Sequence, residues 1–178
     1  IQLKEAMGTE RILAREEELL QIVWPALSSI PGLHILAANQ RHRIGCISFY
    51  IEHLHYNLAV QLLNDRYGIQ VRGGCSCAGT YGHYLLQVSR EHSKSITDQI
   101  NQGILSDKPG WVRLSLHPTM SNAEAHAIVQ AIRELAQHHQ SWARDYRYCA
   151  RQNHFSHHSR AAVEAIDRRV DHWFAQRL

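Results

Sequence analysis

From Thr9 onward, apolar residues recur at helical spacing, with Ile12, Leu13, Leu19, Leu20, Ile22, Val23 and Leu27 forming one stripe. Thr9 is placed as the N-cap and Pro31-Gly32 as the closing turn, so residues 1–30 read as helical. The periodicity then changes. LHILA (33–37) and IGCISFYI (44–51) are rich in β-branched and aromatic residues and predict two strands, joined by the polar NQRHR segment as a hairpin connection. Residues 55–68 predict a short helix closed by Gly68, where a left-handed cap favours glycine. IQVR (69–72) reads as a strand, residues 83–105 as one helical stretch, and SDKPG (106–110) as a turn. WVRLSLH (111–117) is a further strand. SNAE (121–124) is a capping box opening a helix to about His138. This order predicts an α/β sandwich, with a small, mostly antiparallel sheet covered by helices.

Beyond residue 138 the pattern weakens. SWARDYRYCARQNHF reads as an aromatic, basic connector. It is followed by a last helix with Val163, Ile166, Val170, Trp173 and Phe174 on one face, suited to packing on its own domain or on another. Basic residues in this tail alternate with acidic ones and carry no RNA-binding signature, so no nucleic-acid partner is expected.

Composition narrows the class. With 178 residues and 44% hydrophobic content, one globular domain is expected. No apolar run approaches the ~18 residues of a membrane helix. Four cysteines do not make a disulfide scaffold, which favours reduced thiols and a cytoplasmic protein with no membrane partner. The chain opens at Ile1 in a helical segment, as expected of the back part of something longer. The net charge of +3 is concentrated in residues 138–178, together with six of the fourteen histidines, so the tail gains charge below about pH 6.5.

The candidate chemistry lies in GIQVRGGCSCAG (68–79). A strand delivers Arg72 into a loop of Gly73, Gly74, Cys75, Ser76, Cys77, Ala78 and Gly79. These glycines permit backbone conformations closed to other residues and a close approach to a ligand. Arg72 is placed to raise the thiolate fraction of Cys77, and the thiolate is the nucleophile. Other uses of these thiols stay open: small buried hydrophobes, a redox pair, or a metal site with His53, His55 or His83. The last two lack the usual spacings, and no metal is expected. Cys46 and Cys149 read as structural.

VRGGCSCAG resembles the C-terminal signature of class V aminotransferase-fold enzymes, the group of cysteine desulfurases and selenocysteine lyases. Arg72, Gly74, Cys77 and Ala78 fall in register with it. WVRLSLHPT resembles the final strand of that family, and the resemblance places Arg113 where a guanidinium grips the substrate α-carboxylate. Arginine's planar donors match both carboxylate oxygens. Cys75 departs from the pattern, adding a second thiol where desulfurases often have histidine or another polar residue.

The resemblance covers residues 1–138 and implies the small C-terminal domain of a fold-type I pyridoxal-phosphate enzyme. Residues 139–178 would be an extension specific to a subgroup. It also implies an amino-acid substrate, an N-terminal large domain as partner, a homodimer, and Cys77 as the catalytic thiol. Arg113 and Arg72 would serve the substrate. None of Lys4, Lys94 and Lys108 follows a histidine as the family's anchor does, so no covalent attachment of pyridoxal phosphate to this segment is expected. Two readings from other classes remain: a free-standing persulfide carrier using Cys77, and a metal-binding Cys/His module.

Overall fold

The computed structural model describes residues 1–75 and 79–159. Two helices open the chain, α1 (Gln2–Met7) and α2 (Thr9–Ser28), and the strands β1 (Leu33–Ile35) and β2 (Cys46–Ile51) follow. Next come α3 (Tyr56–Tyr67), β3 (Arg72–Gly74), α4 (Gly79–Leu85) and α5 (Arg90–Asn101). The strand β4 (Trp111–Ser115) and the long helix α6 (Asn122–Trp142) complete the main layer. A 3-10 turn at Ala143–Asp145 leads into the hairpin strands β5 (Tyr146–Cys149) and β6 (His154–His157).

The main sheet has the order β1-β2-β4-β3, with every pairing antiparallel. Helices cover one of its faces, so the fold is the α/β sandwich expected from the sequence. Alternation in β2 sends Ile47, Phe49 and Ile51 into the core, where Val112 and Leu114 of β4 meet them. Leu19, Val23 and Leu27 of α2, Leu62 and Leu63 of α3, and Ile132 and Leu135 of α6 fill the other side of that core. The capping box at Ser121 and Glu124 forms in both directions.

Local chemistry moved several element boundaries. Helix α2 is capped by Gly8 at φ +80 rather than by Thr9. The Gly8 N–H still bonds to the carbonyls of Lys4 and Glu5, but its non-helical backbone turns the chain and breaks the opening segment into two helices. The predicted strand at 69–72 is displaced to Arg72–Gly74. Gly68 closes α3 in the left-handed conformation, and the Ile69 N–H turns back to the Leu63 carbonyl, so this donor is lost to the sheet. The single helical stretch expected at 83–105 is two helices, because Ser89 caps α5 by accepting from the His92 N–H.

The largest difference lies after α6. The segment read as a connector is an antiparallel hairpin, with Tyr146 opposite His157 and Tyr148 opposite Phe155. Tyr146 belongs to the main core, and its hydroxyl donates to Asp65 at 2.7 Å. The apolar helix expected at 163–174 lies outside the described residues.

Candidate functional site

The register of the sheet assembles the site. Arg72 of β3 lies directly opposite Arg113 of β4, and Ser48 of β2 lies opposite Arg113 on its other side. Directly opposed residues project from the same face of a sheet, so Ser48, Arg113 and Arg72 form one row across three strands. They lie on the face turned away from the core, as do His34 and Tyr50, which stack at 4.9 Å. Arg113 is half-buried and Arg72 exposed.

Two like charges in directly opposed positions repel each other. Among the described residues neither guanidinium has a carboxylate within ion-pair distance or a side-chain hydrogen-bond acceptor. Elsewhere in the same chain two arginines are well partnered. Arg15 bonds Glu18, the Met120 carbonyl and Asn122, while Arg43 bonds the Ala37 and Gln40 carbonyls and lies over Trp24. A pair of unpartnered forks on one open face is suited chemically to an anion such as a carboxylate.

Helix α4, the next described element after β3, packs over the end of the same face. Trp111, two residues before Arg113 and therefore on its side of the sheet, is buried beneath α4. Gly82 permits this contact, since a Cβ there would come 3.1 Å from the Trp111 ring and 3.7 Å from Cys75 Cβ. Cys75 is thus a half-buried free thiol at the foot of α4. His83 is held by Ser93, Nδ1 to Oγ 2.8 Å, which fixes α4 against α5. Ser76, Cys77 and Ala78 lie outside the described residues, between the end of β3 and the start of α4. Cys46 is half-buried beside β4, whereas Cys149 is exposed on the hairpin and fills no core position, contrary to the structural role expected for it. Among the described residues no three His, Cys, Asp or Glu side chains gather at metal-binding distance.

A family model of class-V aminotransferases matches residues 1–128. The chain belongs to the class-V aminotransferase family. Within that family, a cysteine desulfurase from Pectobacterium atrosepticum is 38% identical over 74 residues, which is 41% of this chain and 17% of the relative. The solved apo structure of a cysteine desulfurase from Thermococcus onnurineus NA1 shares the fold. Its TM-score is 0.53 at 22% identity, covering 75% of this chain and 28% of that one. The class-V aminotransferase chain described here therefore spans about a sixth of the length of the curated relative it matches.

Class-V aminotransferases imply pyridoxal phosphate in the complete enzyme. Lys4 lies on α1, Lys94 on α5 and Lys108 in the turn before β4, and none lies on a strand of the sheet. The residues on this face fit the substrate side of such a cofactor, where a carboxylate must be gripped, rather than its amine anchor. Sequence reading singled out both arginines but missed Ser48 and the buried Tyr56 that opens α3 and packs on Gly73. Long-range strand register and packing reveal these two, and no local motif marks them.

Proposed function

We propose that this chain is the C-terminal small domain of a pyridoxal-phosphate enzyme of the cysteine desulfurase or selenocysteine lyase type, acting on an amino acid. The pairing of Arg72 with Arg113 on one open face carries this reading. The Arg113 fork accepts the substrate α-carboxylate and so sets the direction in which the rest of the amino acid extends. Arg72 adds positive charge at the mouth of the loop, where it favours the thiolate of Cys77 and the anionic substrate alike. Ser48 offers a hydroxyl beside the carboxylate position.

Cys77 takes the sulfur. Its thiolate forms an S–S bond with the substrate sulfur, and the substrate C–S bond breaks with its electron pair going to carbon. Protonation of that carbon yields alanine and leaves a persulfide on Cys77. Pyridoxal phosphate, when bound in the complete enzyme, supplies the electron sink for the substrate carbon. The anchoring lysine would come from a large domain, and a homodimer and a cytoplasmic setting accompany this reading. No helix among the described residues is long and apolar enough to cross a membrane.

Cys77→Ala in the full-length protein tests the assignment. The expected result is loss of sulfide release from cysteine with the cofactor absorbance retained. Unchanged turnover overturns the thiol's role and redirects the reading to a transaminase, epimerase or a lyase without a catalytic cysteine.

A further inference from the structure

Tyr56, the first residue of α3, is buried and its ring lies against the glycines at the ends of the two strands that carry the arginines. A Cβ at Gly73 would come 3.1 Å from this ring, and one at Gly110 would come 2.5 Å from it and 2.9 Å from Gly74 Cα. Gly74 itself has φ +114, a conformation that side-chain-bearing residues rarely adopt. The ring thus packs across the end of β3 and the approach to β4, over the two paired strands. On its other side the His55 ring stacks at 4.5 Å, and His55 also touches Tyr148 and Phe155 of the hairpin.

The Tyr56 hydroxyl is held from the hairpin. Asn153, in the turn between β5 and β6, donates from Nδ2 to it at 2.6 Å. The Asn153 Oδ1 accepts from the Tyr148 hydroxyl at 2.9 Å, and its carbonyl accepts from the Asn57 side chain. Asn153 has φ +50, a region in which asparagine is enriched among residues other than glycine. One residue therefore closes the hairpin turn, bonds Tyr148 within it through Oδ1, and ties it to the start of α3 through Nδ2 and its backbone carbonyl.

We propose that Asn153 is a positioning residue which, through Tyr56, uses the C-terminal hairpin to fix the end of β3 at Gly73–Cys75. Its importance for sulfur transfer rests on the function proposed above, whereas the mechanical coupling does not. Amide hydrogen exchange on the full-length protein reads that coupling without any turnover. Asn153→Gly keeps the turn conformation and removes the amide, and should raise exchange at Gly73–Cys75 about tenfold while β2 amides change less than twofold. Tyr56→Phe should do the same, and the double variant should exchange no faster than either single one. Asn153→Asp, which offers the Tyr56 hydroxyl an acceptor, should restore protection to within about threefold. Additive effects of the two single changes, equal acceleration in β2 and β3, or unchanged exchange at Gly73–Cys75 would each overturn the proposal. Loss of the Cys77 assignment alone would leave these exchange results untouched.

Discussion

The two faces of the sheet obey different rules, although they are built from alternate residues of the same strands. Toward the helices, Ile47, Phe49, Ile51, Val112 and Leu114 are almost completely removed from water, and each contributes apolar burial and close packing. Toward the open side, Ser48, Arg113, Arg72, Tyr50 and His34 leave two cations opposed with no acid between them. Stability is concentrated on one side of a layer one residue thick, and the strain of like charges is tolerated on the other.

Two neighbouring substitutions test the contrast. Phe49→Ala removes a ring that is 0% exposed and should lower unfolding free energy by about 3–5 kcal/mol. Ser48→Ala, its immediate neighbour on the opposite face, should stay within about 0.5 kcal/mol of the parent protein. Similar losses at both positions in urea unfolding would show that the open face is covered by packing of its own.

The helices over the core face carry a pH signature. The Tyr67 hydroxyl of α3 donates to Glu134 of α6 at 2.6 Å. Burial first, then this bond and the carboxylate charge, push the Tyr67 pKa up to about 12. Because the folded value lies above the ordinary value of 10, the contribution is fully present below pH 10 and is lost as pH rises towards 12. Tyr67→Phe should cost about 1 kcal/mol at pH 7 and flatten the fall in stability between pH 10 and 12. An alkaline unfolding curve parallel to that of the parent would contradict this origin. The smallest effect is expected on the open face. Arg72→Gln should raise stability by about 0.2–1 kcal/mol by relieving the opposed charges. That gain should shrink as salt is raised to about 1 M. A variant less stable than the parent at low salt would mean that Arg72 has an anionic neighbour in the folded protein.

Much of this arrangement was legible in the sequence where the determinants were local. Gly68 marks the end of α3, Ser121 and Glu124 mark the start of α6, and β-branched alternation marks β2. The arginine positions and the thiol run were likewise visible as a signature. What escaped was non-local. Arg72 and Arg113 are forty-one residues apart, and only strand register shows that they meet on one face. Strand β3 was misplaced because Ile69 looks like a strand residue, whereas its N–H is used by the helix end. The hairpin was missed although YRYC and HFSH alternate around Arg151-Gln152-Asn153. So many basic and aromatic residues at that point drew the reading towards a connector. Tyr56 resembles any aromatic residue at a helix start until the two glycines packed against it are seen together.

The place of β3 in the strand order has a further consequence. As the last strand, and only three residues long, it offers a foreign chain a very short backbone template, two of whose three positions are glycine. Such a border is poorly suited to strand addition, so this edge of the sheet resists recruiting a neighbouring molecule into an extended aggregate.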